Sequence, residues 1–111
     1  MKAWHFNEPE KKIQFDFTAD FDSQVKHLKS VNGGHFHMHG HNYYVLRAMF
    51  EGHTIDDYEN PPRNDKGLGI RNVRSRIAEL RTEWNIRIGD RTKEGKQYKE
   101  YIISGREDGT V

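Results

Sequence analysis

Arg71, Asn72, Arg74 and Ser75 crowd the start of one amphipathic stretch, and Arg91, Lys93 and Lys96 follow on a later turn-like segment. A guanidinium fork can make two parallel bonds to the O6 and N7 edge of guanine, and a carboxamide can do the same with adenine. Basic side chains on a projecting loop suit phosphate oxygens or an adjacent minor groove. These residue types therefore offer recognition of a polyanion that has a patterned edge. The same residues have a structural alternative. Arg74 with Glu79, or Arg76 with Glu83, can be exposed helix charges in weak local pairs, and Arg76 can lay its stem along the core edge. Basic residues at a hairpin tip also serve solubility.

A second set of candidates is His35, His37, His39 and His41, at every second position. On an extended strand these four imidazoles share one face and suit a divalent metal such as zinc, nickel or copper, with Asp20, Asp22 and Glu51 available to complete the shell. Gly33, Gly34 and Gly40 equally fit a flexible surface segment that binds nothing.

The elements that must position these groups are readable from periodicity. Ile13, Phe15 and Phe17 alternate with polar residues, as in a short half-buried strand. Asp22 or Ser23 caps a brief helix through Val25, Leu28 and Lys29, ended by Asn32-Gly33-Gly34. Tyr43 to Phe50 reads as a helix with Asn42 at its N-cap, where a backbone N–H is available to phosphate, and Glu51-Gly52 closes it. Thr54 caps a short second helix with Asp56 and Asp57 in its first turn, where the helix dipole favours them, and Asn60-Pro61-Pro62 stops it. After a loop over Arg63 to Gly67, Leu68, Ile70, Val73, Ile77, Leu80 and Trp84 give the apolar face of a third helix, from Gly69 or Ile70 to Glu83. Asn85 to Ile88 and Gln97 to Ile103 form the arms of a hairpin with a basic tip, and Gly105 to Val111 is a polar tail.

Composition sets the bounds. The chain has 111 residues, enough for one domain, and 33% of them are hydrophobic. Its mean hydropathy of −1.03 implies a small core. Six Phe, five Tyr and two Trp argue against wholesale disorder. With no cysteine, disulfides, thiolate metal sites and cysteine nucleophiles are excluded. No apolar run approaches the length of a signal peptide or membrane span, so the cytoplasm is the expected compartment and no membrane partner is expected. The net charge of +1 divides unevenly: Met1–Pro62 carries six Lys and Arg against nine Asp and Glu, Arg63–Ile103 carries eleven against six, and the last eight residues add −1. That asymmetry predicts a basic working surface in the second half.

From Asn42 to about Ser104 the chain resembles the small winged helix-turn-helix domains common in phage and prophage proteins. The resemblance is carried by Tyr44-Val-Leu-Arg-Ala-Met-Phe-Glu-Gly, His53-Thr-Ile-Asp-Asp-Tyr, Gly69-Ile-Arg-Asn-Val-Arg-Ser-Arg-Ile-Ala-Glu-Leu-Arg and a wing over Ile86 to Ile103. It implies an α+β winged helix-turn-helix, three helices plus a C-terminal β-hairpin wing, over residues 42–104. An N-terminal strand and helix extension with the His-rich segment (1–41) precedes it, and a tail (105–111) follows. Two departures are the longer turn over Asn60 to Lys66, which adds two prolines, and the first forty residues, which lie outside the resemblance.

The expected function is binding of double-stranded DNA, as a phage or prophage regulator or accessory factor and not an enzyme. Arg71, Asn72, Arg74 and Ser75 would lie in the major groove, with Arg91, Lys93 and Lys96 on the backbone. Pairing of two half-sites makes a homodimer plausible, through the N-terminal strand and helix. An alternative is a protein-interaction module, such as a phage factor that docks on a host enzyme. A remote alternative comes from His39-Gly-His-Asn-Tyr43 with Phe15-Asp-Phe-Thr-Ala19 upstream, which is similar to the zinc-binding region of 6-pyruvoyl-tetrahydropterin synthases. That similarity implies zinc ligands at His39 and His41; Asp20 stands where the family has its third His, and the usual catalytic cysteine is missing.

Overall fold

The computed structural model describes residues 3–6, 15–31, 38, 40–61, 70 and 72–106. The chain is α+β, with helices α1 (Phe21–Val31), α2 (Gly40–Phe50) and α3 (Val73–Thr82), and strands β1 (Ile55–Asp56), β2 (Ile88–Thr92) and β3 (Lys99–Ile103). The three strands form one antiparallel sheet in the order β1-β3-β2. Ile55 faces Tyr101 across β1 and β3, and Ile88 faces Ile103 across β2 and β3.

α3 forms where its apolar spacing demands. Val73, Ile77 and Leu80, with Trp84 just beyond the last turn, are all buried against α2, whose Val45, Leu46 and Met49 are fully covered. The helix is shorter than its hydrophobic pattern suggests. Ile70 is buried but lies outside it, and Asn72 precedes it in a left-handed conformation (φ 56°). At the other end Asn85 repeats that conformation, and the Ile86 N–H bonds the Leu80 carbonyl, turning the chain towards β2. Asparagine tolerates this region better than most side chains, which is why both reversals fall on it.

Three expectations are corrected at the N-terminal side. Phe15 and Phe17 are not in a strand; they pack on Phe50 with ring centroids 6.1 and 5.2 Å apart. The Asp16 carboxylate takes the Thr18 N–H (3.0 Å) and hydroxyl (2.6 Å), a local turn that competes with extension. The cap of α1 is Asp20, whose carboxylate accepts the Ser23 N–H at 3.0 Å, in place of Asp22 or Ser23. α2 begins at Gly40, so Asn42 is an interior helical residue and not its cap.

A larger correction concerns Thr54 to Asn60. No helix forms there. Ile55 and Asp56 extend along β3, and the buried Asp56 Oδ1 then accepts the N–H groups of Tyr58 (2.8 Å), Glu59 (2.5 Å) and Asn60 (3.3 Å). One carboxylate thus closes the turn that helical bonds would otherwise have satisfied.

The first residues are tied to the far edge of the sheet. His5 exchanges both backbone bonds with Asp90 (2.9 and 3.0 Å). Phe6 then lies on Gly89, where an added Cβ would stand 2.7 Å from the Phe6 Cζ. Gly89→Ala should therefore expel the arm and cost about 1–3 kcal/mol in urea unfolding. The same substitution should be near neutral in a chain lacking residues 1–6; an equal loss in both backgrounds would assign the cost to the sheet itself.

Candidate nucleic-acid interface

The N-terminal edge of α3 is exposed. Asn72, Arg74, Ser75 and Ala78 face outward, opposite the buried Val73, Ile77 and Leu80. Asn72 makes no side-chain cap bond, so its carboxamide is not spent on the helix. The cap comes from elsewhere in the chain. Asp57 accepts the Arg74 N–H at 3.2 Å through Oδ1 and the Arg74 Nε at 3.3 Å through Oδ2. Among the expected base-reading residues Asn72, Arg74 and Ser75 lie together on this edge, while Arg71 falls outside the described residues.

The hairpin cations behave differently from the sequence-based expectation. Arg91 Nε is 2.6 Å from Glu100 Oε1, and its guanidinium lies 3.9 Å from the centroid of the Trp4 ring. Lys93 Nζ is held by Asp56 Oδ2 (3.0 Å) and Glu59 Oε2 (2.5 Å), and Lys96 Nζ by Glu59 Oε1 (3.1 Å). Every one of the nine Lys and Arg residues between 72 and 106 meets a protein partner. Seven face carboxylates: Arg74, Arg76, Arg81, Arg91, Lys93, Lys96 and Lys99. Arg87 takes the Ser104 hydroxyl and the Phe6 ring, and Arg106 the Phe50 carbonyl and the Phe17 ring. Among the described residues of the basic half, no unneutralised basic face forms.

Exposure separates these pairs. The side chains of Arg74, Lys99 and Lys96 are 72%, 58% and 45% exposed, so their ion pairs are surface pairs worth about 0–1 kcal/mol and open to exchange. Arg91 and Lys93, at 19% and 20%, are fixed parts of the fold. The expected local pairs Arg74–Glu79 and Arg76–Glu83 are replaced by Arg74–Asp57 and Arg76–Glu79, the latter at 2.6 Å. Glu79 also accepts the Asn42 Nδ2 at 2.8 Å, so Asn42 ties α2 to α3 from inside and offers nothing to a phosphate.

His35, His37 and His39 lie outside the described residues. His41 stands in the first turn of α2, so the alternation does not run through it as one extended strand. The acidic groups expected to complete a metal shell have other partners: Asp20 caps α1, Asp22 accepts the Tyr43 hydroxyl at 2.7 Å, and Glu51 pairs with Arg47 at 3.2 Å. Among the described residues no group of three or more His, Cys, Asp or Glu side chains is arranged to hold a metal.

Sequence reasoning missed Asp56, Asp57 and Glu59 as partners of the hairpin and of α3. Their signal was present as acidic residues just ahead of a basic segment, but the helix dipole explained them equally well.

The charges here are perturbed in a consistent sense. Lys93, Tyr98 and Lys96 hold the Glu59 carboxyl down at about 2, against an ordinary 4.5. Burial works to raise Asp56, but the Glu59 N–H, Lys93 and the neighbouring N–H groups outweigh it and keep that carboxyl below its usual range. Both groups are depressed in the fold, so their stabilisation is complete above the ordinary carboxylate range and is lost as pH falls. Neither a family model, a curated protein nor a solved structure matches this chain. The unfolding midpoint should drop progressively between pH 4.5 and about 2. Glu59→Gln should remove part of that acid sensitivity; an unchanged acid profile would mean that the Glu59 contacts do not persist in solution.

Proposed function

We propose that α2, β1, α3 and the hairpin form a winged-helix unit, without the helix expected over Thr54 to Asn60, that binds double-stranded DNA through the exposed edge of α3. The observation that carries this reading is Asn72, Arg74 and Ser75 standing unburied on the helix that precedes the hairpin. Topology supports it: α2, a short strand, α3 and a hairpin follow in order, with the short strand paired to the hairpin's return strand. Side chains at the start of such a helix reach furthest into a major groove, where Asn72 suits adenine and Arg74 suits guanine. Backbone phosphates would be met by the exchangeable cations Arg74, Lys96 and Lys99, while Arg91 keeps the wing in shape. A phage or prophage regulator or accessory factor fits this reading.

A second reading is docking on a host protein. It is favoured by Tyr58, 69% exposed and packed with its ring centroid 4.8 Å from that of Tyr98 at a 56° tilt, and by the neutralised hairpin.

Fluorescence anisotropy with random-sequence duplex should show binding whose log K falls with log salt at a slope of roughly −2 to −3, for two or three exchanged cations. Arg74→Ala should weaken it about tenfold without shifting the unfolding midpoint by more than about 1 kcal/mol. Absence of duplex binding at low salt would overturn the DNA reading and favour the protein partner.

A further inference from the structure

Three donors converge on one carboxylate at the tip of the hairpin. Lys93 Nζ and Lys96 Nζ each take one oxygen of Glu59, at 2.5 and 3.1 Å, and the Tyr98 hydroxyl bonds the same group. Two ammonium groups brought to a single anion repel each other when it leaves. Asp56 still balances Lys93, so the site vacated by Glu59 carries one net positive charge and three donors, which suits an anion with two oxygens. A phosphodiester presents two such oxygens.

We propose that Lys93, Lys96 and the Tyr98 hydroxyl form a site for a nucleic-acid backbone phosphate, and that the Glu59 carboxylate fills it until the phosphate displaces it. The inference rests on the duplex-binding reading above and adds a specific contact to it. Three features suit displacement. Glu59 lies past β1 on a loop, and its side chain is 41% exposed, so the contact it surrenders is a surface one. Asp56 stays behind, fully buried, and keeps Lys93 aimed at the site after Glu59 swings away. Tyr58 packs at a 56° tilt against the Tyr98 ring that carries the hydroxyl.

The titration behaviour is consistent with this role. Partial burial and the facing carboxylate push the Tyr98 hydroxyl up to about 12, so it keeps its proton and remains a donor at neutral pH. Glu59, held at about 2, is fully ionised there and competes with phosphate throughout the physiological range. Exchange of the internal anion for an external one makes binding self-limiting. The duplex gains the two hairpin cations only by dislodging Glu59.

The test is a cycle of four proteins, wild type, Glu59→Gln, Lys96→Ala and the double variant, titrated with random-sequence duplex across a salt series. Glu59→Gln should raise affinity about three- to tenfold at low salt and steepen the log–log salt slope by about one. Lys96→Ala should cost more in the Glu59→Gln background than in the wild type, by a similar factor. Tyr98→Phe in that background, which leaves all charges in place, should lower affinity about two- to threefold; unfolding midpoints of each protein identify any variant that merely fails to fold. Wild-type binding that Glu59→Gln leaves unchanged or weakens would overturn the phosphate site and leave the duplex reading standing. Binding by Glu59→Gln alone would support both. No binding by either protein at low salt would overturn both in favour of a protein partner.

Discussion

The Asp56 carboxylate is the interaction on which the candidate interface depends. A carboxylate withdrawn wholly from water is tolerated only when its lone pairs are filled and its charge is met. Here Oδ1 takes the backbone of the loop that follows β1, and Oδ2 takes Lys93 from the hairpin. One residue thus ends β1, shapes the loop carrying Asp57 and Glu59, and ties that loop to the turn of the hairpin. Because that loop then presents Asp57 to the start of α3, helix and hairpin are referenced to the same short strand. The geometry between the two surfaces a duplex would contact follows from these bonds.

Charge shows why a linear count is a poor guide to a folded surface. The chain separates into an acidic first half and a basic second half, and that separation invites the idea of a basic face. Folding instead threads acidic residues 56–59 between α3 and the hairpin, where each meets cations from far along the sequence. Asp57 reaches Arg74 across 17 positions, and Asp56 reaches Lys93 across 37.

What the sequence revealed and what it hid divide along the same line. The outgoing arm of the hairpin, expected over Asn85 to Ile88, is Ile88–Thr92 and takes in Arg91 from the expected basic tip. Apolar periodicity is a local property, so the buried face Val73, Ile77, Leu80 and Trp84 and the return arm of the hairpin were legible. β1 was not. Two residues cannot display a period-two alternation, and Asp56 with Asp57 matched the acidic first turn of a helix just as well. The caps were similarly ambiguous: Asn42 has the right chemistry for a helix start, but its fate was decided by Glu79, 37 residues away on another helix. Asn72, Arg74 and Ser75 could be nominated because they oppose an apolar face; that Arg91 is held by Glu100 and Lys93 by Asp56 and Glu59 could not be read from spacing.

The pairing of His5 with Asp90 has a consequence for how the molecule meets its own copies. A three-stranded sheet has two edges, and an unpaired edge is a template on which another chain can add a strand. At β2 the chain's own first residues occupy that template, with Phe6 seated on Gly89 and Trp4 under Arg91. At the opposite edge β1 offers only two residues, one of them a buried carboxylate already committed to Lys93. Among the described residues, the His5 bridge on one edge and the shortness of β1 on the other both work against sheet growth between copies.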